Sequence, residues 1–141
     1  VSLLRAGTVY DCGYPLNPAL CAGQVEGSVS MAQGQALTEA VMLEGGQIIN
    51  PSFGTYALPD ALNASGSWVE FVNSFEPRGP FGAKEIGEGA VAGIMAAIAN
   101  AVFDAVGSRV TSLPITPEKA LRGMANGVDL AVYPELRPLQ A

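Results

Sequence analysis

Histidine is absent from the 141 residues. Nucleophilic triads built on histidine, and metal sites ligated by it, are therefore excluded within this chain. Charge is also scarce: charged residues make up 14% of the sequence, against about 25% in ordinary soluble domains. That deficit predicts surface hidden against other protein. Basic residues are the rarer sign, 7 against 13 acidic, giving a net charge of −6 and a pI near 4.4. Nucleic-acid partners, which require Lys/Arg patches, are disfavoured. The two cysteines, Cys12 and Cys21, fit no zinc-binding spacing. Two free thiols in a reducing, cytoplasmic compartment is a simpler expectation than a disulfide. No apolar run reaches the ~18 residues of a membrane span. The chain opens Val1-Ser2-Leu3-Leu4-Arg5, with neither an initiating Met nor a signal-peptide pattern. It is expected to be a processed or fragmentary piece of a larger polypeptide.

Glycine, by contrast, is abundant, with 17 residues, and proline contributes 10. Four glycines and a proline fall in Gly79-Pro80-Phe81-Gly82-Ala83-Lys84-Glu85-Ile86-Gly87-Glu88-Gly89, which is expected to be a loop. It leads into Ala90-Val91-Ala92-Gly93-Ile94-Met95-Ala96-Ala97-Ile98-Ala99, apolar on all sides. Such a stretch reads as a buried helix, expected from about Gly87 to Val106, with Glu88 at its first turn. Helix N–H groups would favour the ionised carboxylate, while apolar neighbours would disfavour it. These opposed influences suit a general base. A first-turn acid that only complements the helix dipole is the plainer alternative.

Taken in order, residues 1–11 read as a strand. Asn17 and Pro18 form an N-cap and first helical residue, opening a helix expected to reach about Leu43. Val25, Val29, Ala32, Ala36, Leu37, Ala40 and Val41 supply its apolar stripe. Gly23, Gly27 and Gly34 lie on an adjoining stripe. Each costs about 1 kcal/mol relative to alanine inside a helix, so they imply either tight helix packing or a flat surface beside which an amide can read a ring system. Gly45-Gly46 is the expected helix stop. Short strands are expected at residues 47–50, 68–75 and 109–111. Gly107 should end the apolar helix, and Thr116-Pro117 should open a last one running to about Met124. The fold class predicted is α+β, a mixed sheet packed against two long buried helices. Residues 1–127 form the domain and 128–141 a tail lying on a neighbour or disordered.

Together these landmarks resemble the C-terminal part of the molybdopterin-binding subunit of the molybdenum hydroxylases, the xanthine dehydrogenase and aldehyde oxidoreductase family. The resemblance rests on Asp11-Cys12-Gly13 with Asn17-Pro18, Gly23-Gln24-Val25-Glu26-Gly27, Gly34-Gln35-Ala36-Leu37-Thr38-Glu39 and Tyr56-Ala57-Leu58-Pro59. It continues with Gly79-Pro80-Phe81-Gly82-Ala83-Lys84, Gly87-Glu88, Ala97-Ile98-Ala99-Asn100-Ala101 and Leu113-Pro114-Ile115-Thr116-Pro117-Glu118-Lys119.

The resemblance implies a molybdopterin cofactor carrying molybdenum, often as the cytosine dinucleotide, shared with the remainder of the subunit. It implies 2Fe-2S clusters and FAD on partner domains or subunits, and a small-molecule substrate: an aldehyde, a purine or another N-heteroaromatic. Glu88 matches the family's glutamate base, Gln24 a glutamine that hydrogen-bonds the pterin, and Gly87 backbone near the metal. No residue of this chain is expected to ligate the metal directly. Met31-Ala32 stands where many members have Gln-Gly, and Glu85 and Gly89 where many have Gly or Ala and Pro. These departures resemble the 4-hydroxybenzoyl-CoA reductase branch and open the alternative of reductive dehydroxylation. A non-catalytic scaffold of the same fold is a further alternative.

Overall fold

A computed structural model describes residues 1–126. The expected tail, residues 128–141, lies outside the described residues. The order of elements is β1 (Arg5–Tyr10), α1 (Pro18–Leu37), β2 (Leu43–Glu44), β3 (Gln47–Ile48), β4 (Gly66–Phe71), α2 (Val91–Val106) and α3 (Pro117–Asn126), with a short 3-10 turn at Pro80–Gly82. The class is α+β. The strands form two separate pairs: β1 and β4 lie parallel, and β2 and β3 form an antiparallel hairpin. Parallel strands need a long crossover, and α1 with the hairpin supplies it between β1 and β4. The 109–111 segment is not a strand. Arg109 instead packs back on α2, its guanidinium 4.1 Å from the Phe103 ring centre and donating to Asn100 Oδ1 at 2.8 Å.

Helix α1 starts as its sequence dictates. Asn17 Oδ1 accepts from the Leu20 N–H at 3.2 Å, satisfying an N-terminal donor that the helix leaves free. Its end comes earlier than the apolar stripe suggests. The N–H groups of Thr38 and Glu39 both return to the Gly34 carbonyl, and the Ile115 N–H takes the Ala36 carbonyl at 2.6 Å. The Glu39 carboxylate, bonded by the Tyr56 hydroxyl at 2.8 Å, occupies the space where a Gly34 Cβ would lie. Tertiary partners therefore claim the terminal carbonyls, and the backbone turns away. Gly45 and Gly46, both at positive φ, are the tight turn of the β2–β3 hairpin rather than a helix stop. Asn50 closes the base of that hairpin through the Ala40 carbonyl and the Met42 N–H.

The core forms where α1 and α2 cross. Val29, Ala32, Ala36 and Leu37 of α1 meet Ile94, Ile98 and Val102 of α2, and Ile115 seals one end. The spacing of the α2 residues is one helical turn, so only one stripe of α2 is buried. Ala92, Gly93, Ala96, Ala97 and Ala101 are exposed. The expectation of a helix buried on all sides is thus not met by the described residues alone: α1 packs on one face, and these small residues on the remaining surface stay exposed. Gly107, at φ 67, ends α2 as expected, and Thr116 Oγ1 caps α3 through the Lys119 N–H.

Ile98 is 5% exposed and Leu62 is 94% exposed. Ile98→Ala should cost about 2–5 kcal/mol, whereas Leu62→Ala should stay within about 0.5 kcal/mol. Urea unfolding of the full chain measures both. Equal effects would remove the α1–α2 seam as the core.

Candidate functional site

The glycine-rich loop is tied to the segment that follows β1. The Lys84 N–H donates to the Cys12 carbonyl at 2.7 Å, and the Tyr14 N–H to the Gly82 carbonyl at 2.8 Å. Gly13 and Ala83 form an isolated antiparallel bridge. Gly13 lies so close to the Gly82 carbonyl that no Cβ fits between them, and its φ of 67 is in the left-handed region. Asp11 adds side-chain ties. One oxygen meets Lys84 Nζ at 2.7 Å, and the other accepts from the Gly13 N–H and the Ser74 hydroxyl. Lys84, Ser74 and the Gly13 N–H hold the Asp11 carboxyl well below the usual carboxylate range.

A second carboxylate organises the last part of the loop. Glu85 Oε1 accepts from the Tyr10 hydroxyl at 2.7 Å, and Glu85 Oε2 from the Gly87 N–H at 2.8 Å. These bonds lower the Glu85 pKa, the tyrosine contributing most. Bonding to the carboxylate, with burial second, pushes the Tyr10 phenol up to about 12. Gly89 packs against the Tyr10 hydroxyl without room for a Cβ. The sequence assigned neither Tyr10 nor Asp11 a role. Residues 75 and 63 positions from their partners leave no local pattern to read. The one local signal is Asp11 two residues before Gly13, an Asx-turn spacing.

Gln24 lies on α1 and lines a cavity of about 250 Å³ with Cys12, Asn17, Cys21, Lys84 and Ile86 among its walls. The structure thus brings Gln24 and the glycine-rich loop to one cavity. Both cysteines in its wall are free thiols; burial raises the Cys12 pKa. Gly87 reaches α1 one turn farther along, where its carbonyl lies 3.5 Å from the Ser28 hydroxyl. Gly23 and Gly27 face open space, unlike Gly34, which admits Glu39 and Pro59. The small stripe on α1 is therefore tight packing at Gly34 and an open face around Gln24.

Glu88 sits at the edge of this region. α2 begins at Val91, so Glu88 precedes its first turn, which corrects the expected start at Gly87. Its backbone carbonyl accepts from the Val91 N–H at 3.0 Å. Its side chain is exposed, and among the described residues its carboxylate has no hydrogen-bond or ion-pair partner. The apolar surroundings expected for it are not supplied by the described residues alone. Among the described residues no group of three His, Cys, Asp or Glu side chains could hold a metal, and no helix is long and apolar enough to cross a membrane.

A family model described as a molybdopterin cofactor-binding domain matches residues 1–64. The xanthine dehydrogenase molybdenum-binding subunit of Escherichia coli is 36% identical over 121 residues, 84% of this chain and 16% of that protein. The aldehyde oxidoreductase molybdenum-binding subunit of Escherichia coli is 36% identical over 124 residues, 86% of this chain and 17% of that protein. Quinoline 2-oxidoreductase from Pseudomonas putida 86 superposes with a TM-score of 0.79 at 29% identity, over 86% of this chain and 16% of that one. The chain spans about one sixth of the length of the relatives it matches.

The two carboxylates make the loop acid-sensitive. With folded-state pKa values depressed, their stabilisation is present above the ordinary carboxylate range and is lost as pH falls through the lowered values. Tyr10 has the opposite sign: its contribution is full below its ordinary value of 10.0 and is lost as pH rises through about 12. Thermal melting between neutral pH and pH 2 should show Asp11→Asn and Tyr10→Phe less stable than wild type near neutrality. The gap should narrow below about pH 4. A gap independent of pH would show that these carboxylates do not hold the loop.

Proposed function

The chain belongs to the molybdenum hydroxylase family, and we propose that it contributes the base and part of the pterin cradle to a molybdopterin-dependent oxidoreductase. The reaction proposed is oxidation of a carbon centre, in an aldehyde, a purine or another N-heteroaromatic, with oxygen derived from water. The observation that carries this reading is the cavity that Gln24 lines together with Ala83, Lys84 and Ile86, whose chain continues directly into Gly87 and Glu88.

The residues present suit such a cofactor. The Gln24 amide offers both donors and an acceptor, as a pterin edge requires. Gly23 and Gly27 on either side of it leave an open face with no side chain, against which a planar ring can lie. Backbone at Gly87 can approach a ligand without a Cβ. With no cluster of metal-ligating side chains among the described residues, this chain's contribution is hydrogen bonds and a carboxylate. When bound, the molybdenum cofactor supplies the two-electron acceptor and the site of oxygen transfer. Glu88 accepts a proton at its carboxylate oxygen, and its exposure in this chain leaves that oxygen free to do so.

Most of the active site belongs to the rest of the subunit in this reading. That polypeptide covers Glu88, excludes water around it and shapes the substrate pocket. It also completes the cofactor cradle, whether the cofactor is the plain pterin or its cytosine dinucleotide. In this reading 2Fe-2S clusters and FAD on partner domains or subunits would take up the electrons, in a cytoplasmic assembly. The low charge of the chain and the bare face of α2 are consistent with such burial against other protein.

Metal and pterin analysis of the native assembly should find molybdenum and molybdopterin; their absence would overturn the reading. Glu88→Gln should lower turnover by at least about a hundredfold, the scale of a lost general base, with molybdenum retained. Gln24→Ala should instead reduce pterin retention. Wild-type turnover in Glu88→Gln would remove the assigned base.

A further inference from the structure

We infer that Tyr10 and Glu85 are a positioning pair for Glu88, an inference that rests on the reading of Glu88 as the base. The Glu88 side chain makes no polar contact among the described residues, so what these residues contribute to its aim is the backbone on either side. Both sides are held by the same pair. Upstream, the Gly87 N–H donates to Glu85 Oε2 at 2.8 Å. Downstream, Gly89 rests against the Tyr10 hydroxyl and Glu85 Oε1, with no room for a Cβ. The Tyr10 hydroxyl, bonded to Glu85 Oε1 at 2.7 Å, fixes the carboxylate.

Tyr10 is a firm anchor because it is the last residue of β1, in register with Phe71, and its carbonyl accepts from the Val72 N–H at 2.9 Å. The Ser28 hydroxyl beside the Gly87 carbonyl and the Val91 N–H on the Glu88 carbonyl complete the frame. Both Glu85 oxygens are engaged, one by Tyr10 of β1 and the other by the Gly87 N–H. Glu85 therefore orients backbone, and Glu88 is left as the free carboxylate.

A pair that merely stapled the loop would alter stability and cofactor retention together. A positioning pair instead alters turnover at constant cofactor content, since a misplacement of about 1 Å can cost about a hundredfold. The test uses the assembled enzyme, with xanthine, benzaldehyde and quinoline as probe substrates. It compares Glu85→Ala, Glu85→Gln, Tyr10→Phe and the double variant Tyr10→Phe/Glu85→Ala, alongside Glu88→Gln. Glu85→Ala should lower kcat about tenfold or more, with KM and molybdenum content near wild type. Glu85→Gln should recover most of the rate, because its amide oxygen can accept from the Gly87 N–H while its nitrogen donates to the tyrosine oxygen. The double variant should be no worse than Glu85→Ala alone, as expected for groups acting as one unit.

Amide exchange over residues 86–89 gives a readout that needs no substrate. It should quicken in Glu85→Ala and Tyr10→Phe and return toward wild type in Glu85→Gln. Wild-type kcat or unchanged exchange in Glu85→Ala would overturn the pair. So would a Glu85→Gln variant as impaired as Glu85→Ala, or a loss of rate that follows loss of molybdenum. Wild-type turnover in Glu88→Gln would instead overturn the base itself, and the pair's role with it. An inactive Glu88→Gln beside an unimpaired Glu85→Ala would sink the pair alone.

Discussion

The ion pair between Asp11 and Lys84 joins the two parts of the sequence that matter most. Asp11 stands just past the end of β1, and Lys84 in the middle of the glycine-rich loop, with Nζ and Oδ2 2.7 Å apart. A loop with four glycines loses much conformational entropy on ordering. Backbone bonds from Lys84 to Cys12 and from Tyr14 to Gly82 fix its first half, and Tyr10 with Glu85 fixes its second. An exposed ion pair alone contributes little. Here it belongs to a network in which each tie shortens the free length left for the next. Together with the Ser28 hydroxyl at the Gly87 carbonyl, that network holds the end of the loop beside α1.

The loop's placement depends in turn on the contact between the helices. α1 presents Val29, Ala32 and Ala36 on one side, where Ile94, Ile98 and Val102 of α2 pack. On another side it presents Gln24 to the cavity below the loop. One helix therefore serves both core and site, and the loop is the short path from that site to the start of α2. The outer face of α2 carries exposed alanines and a glycine, in keeping with a chain that spans 16% of its relative's length. The exposed Glu88 has the same explanation in the proposed reading: its walls are built by polypeptide beyond these residues.

Much of this was legible in the sequence because the signals were local. Asn17-Pro18 announced the start of α1, Gly107 the end of α2 and Thr116-Pro117 the start of α3, each through capping chemistry confined to a few residues. The stripe through Val25, Val29, Ala32, Ala36 and Leu37 marked the buried side of α1. Periodicity ran past the true end at Leu37 because the groups that stop the helix, Ile115 and Tyr56, are remote in sequence. The apolar surround of α2 shows that each face can be buried, and not whether the described residues supply the cover: α1 covers one stripe, and the rest is left exposed. Gln24 and the loop were recognisable by motif. The Tyr10–Glu85 and Asp11–Lys84 pairs, made across more than seventy positions, were not.

The central claim is that the Glu88 carboxylate works against a molybdenum cofactor whose remaining walls come from outside this chain. The most direct test is an experimental structure of the assembled subunit with its cofactor bound. The account predicts a Glu88 oxygen within about 3 Å of an oxygen ligand of the metal, the reach of a general base, and the Gln24 amide bonded to the pterin. A Glu88 side chain still in bulk water, or a cofactor seated away from the Gln24 cavity, would contradict it.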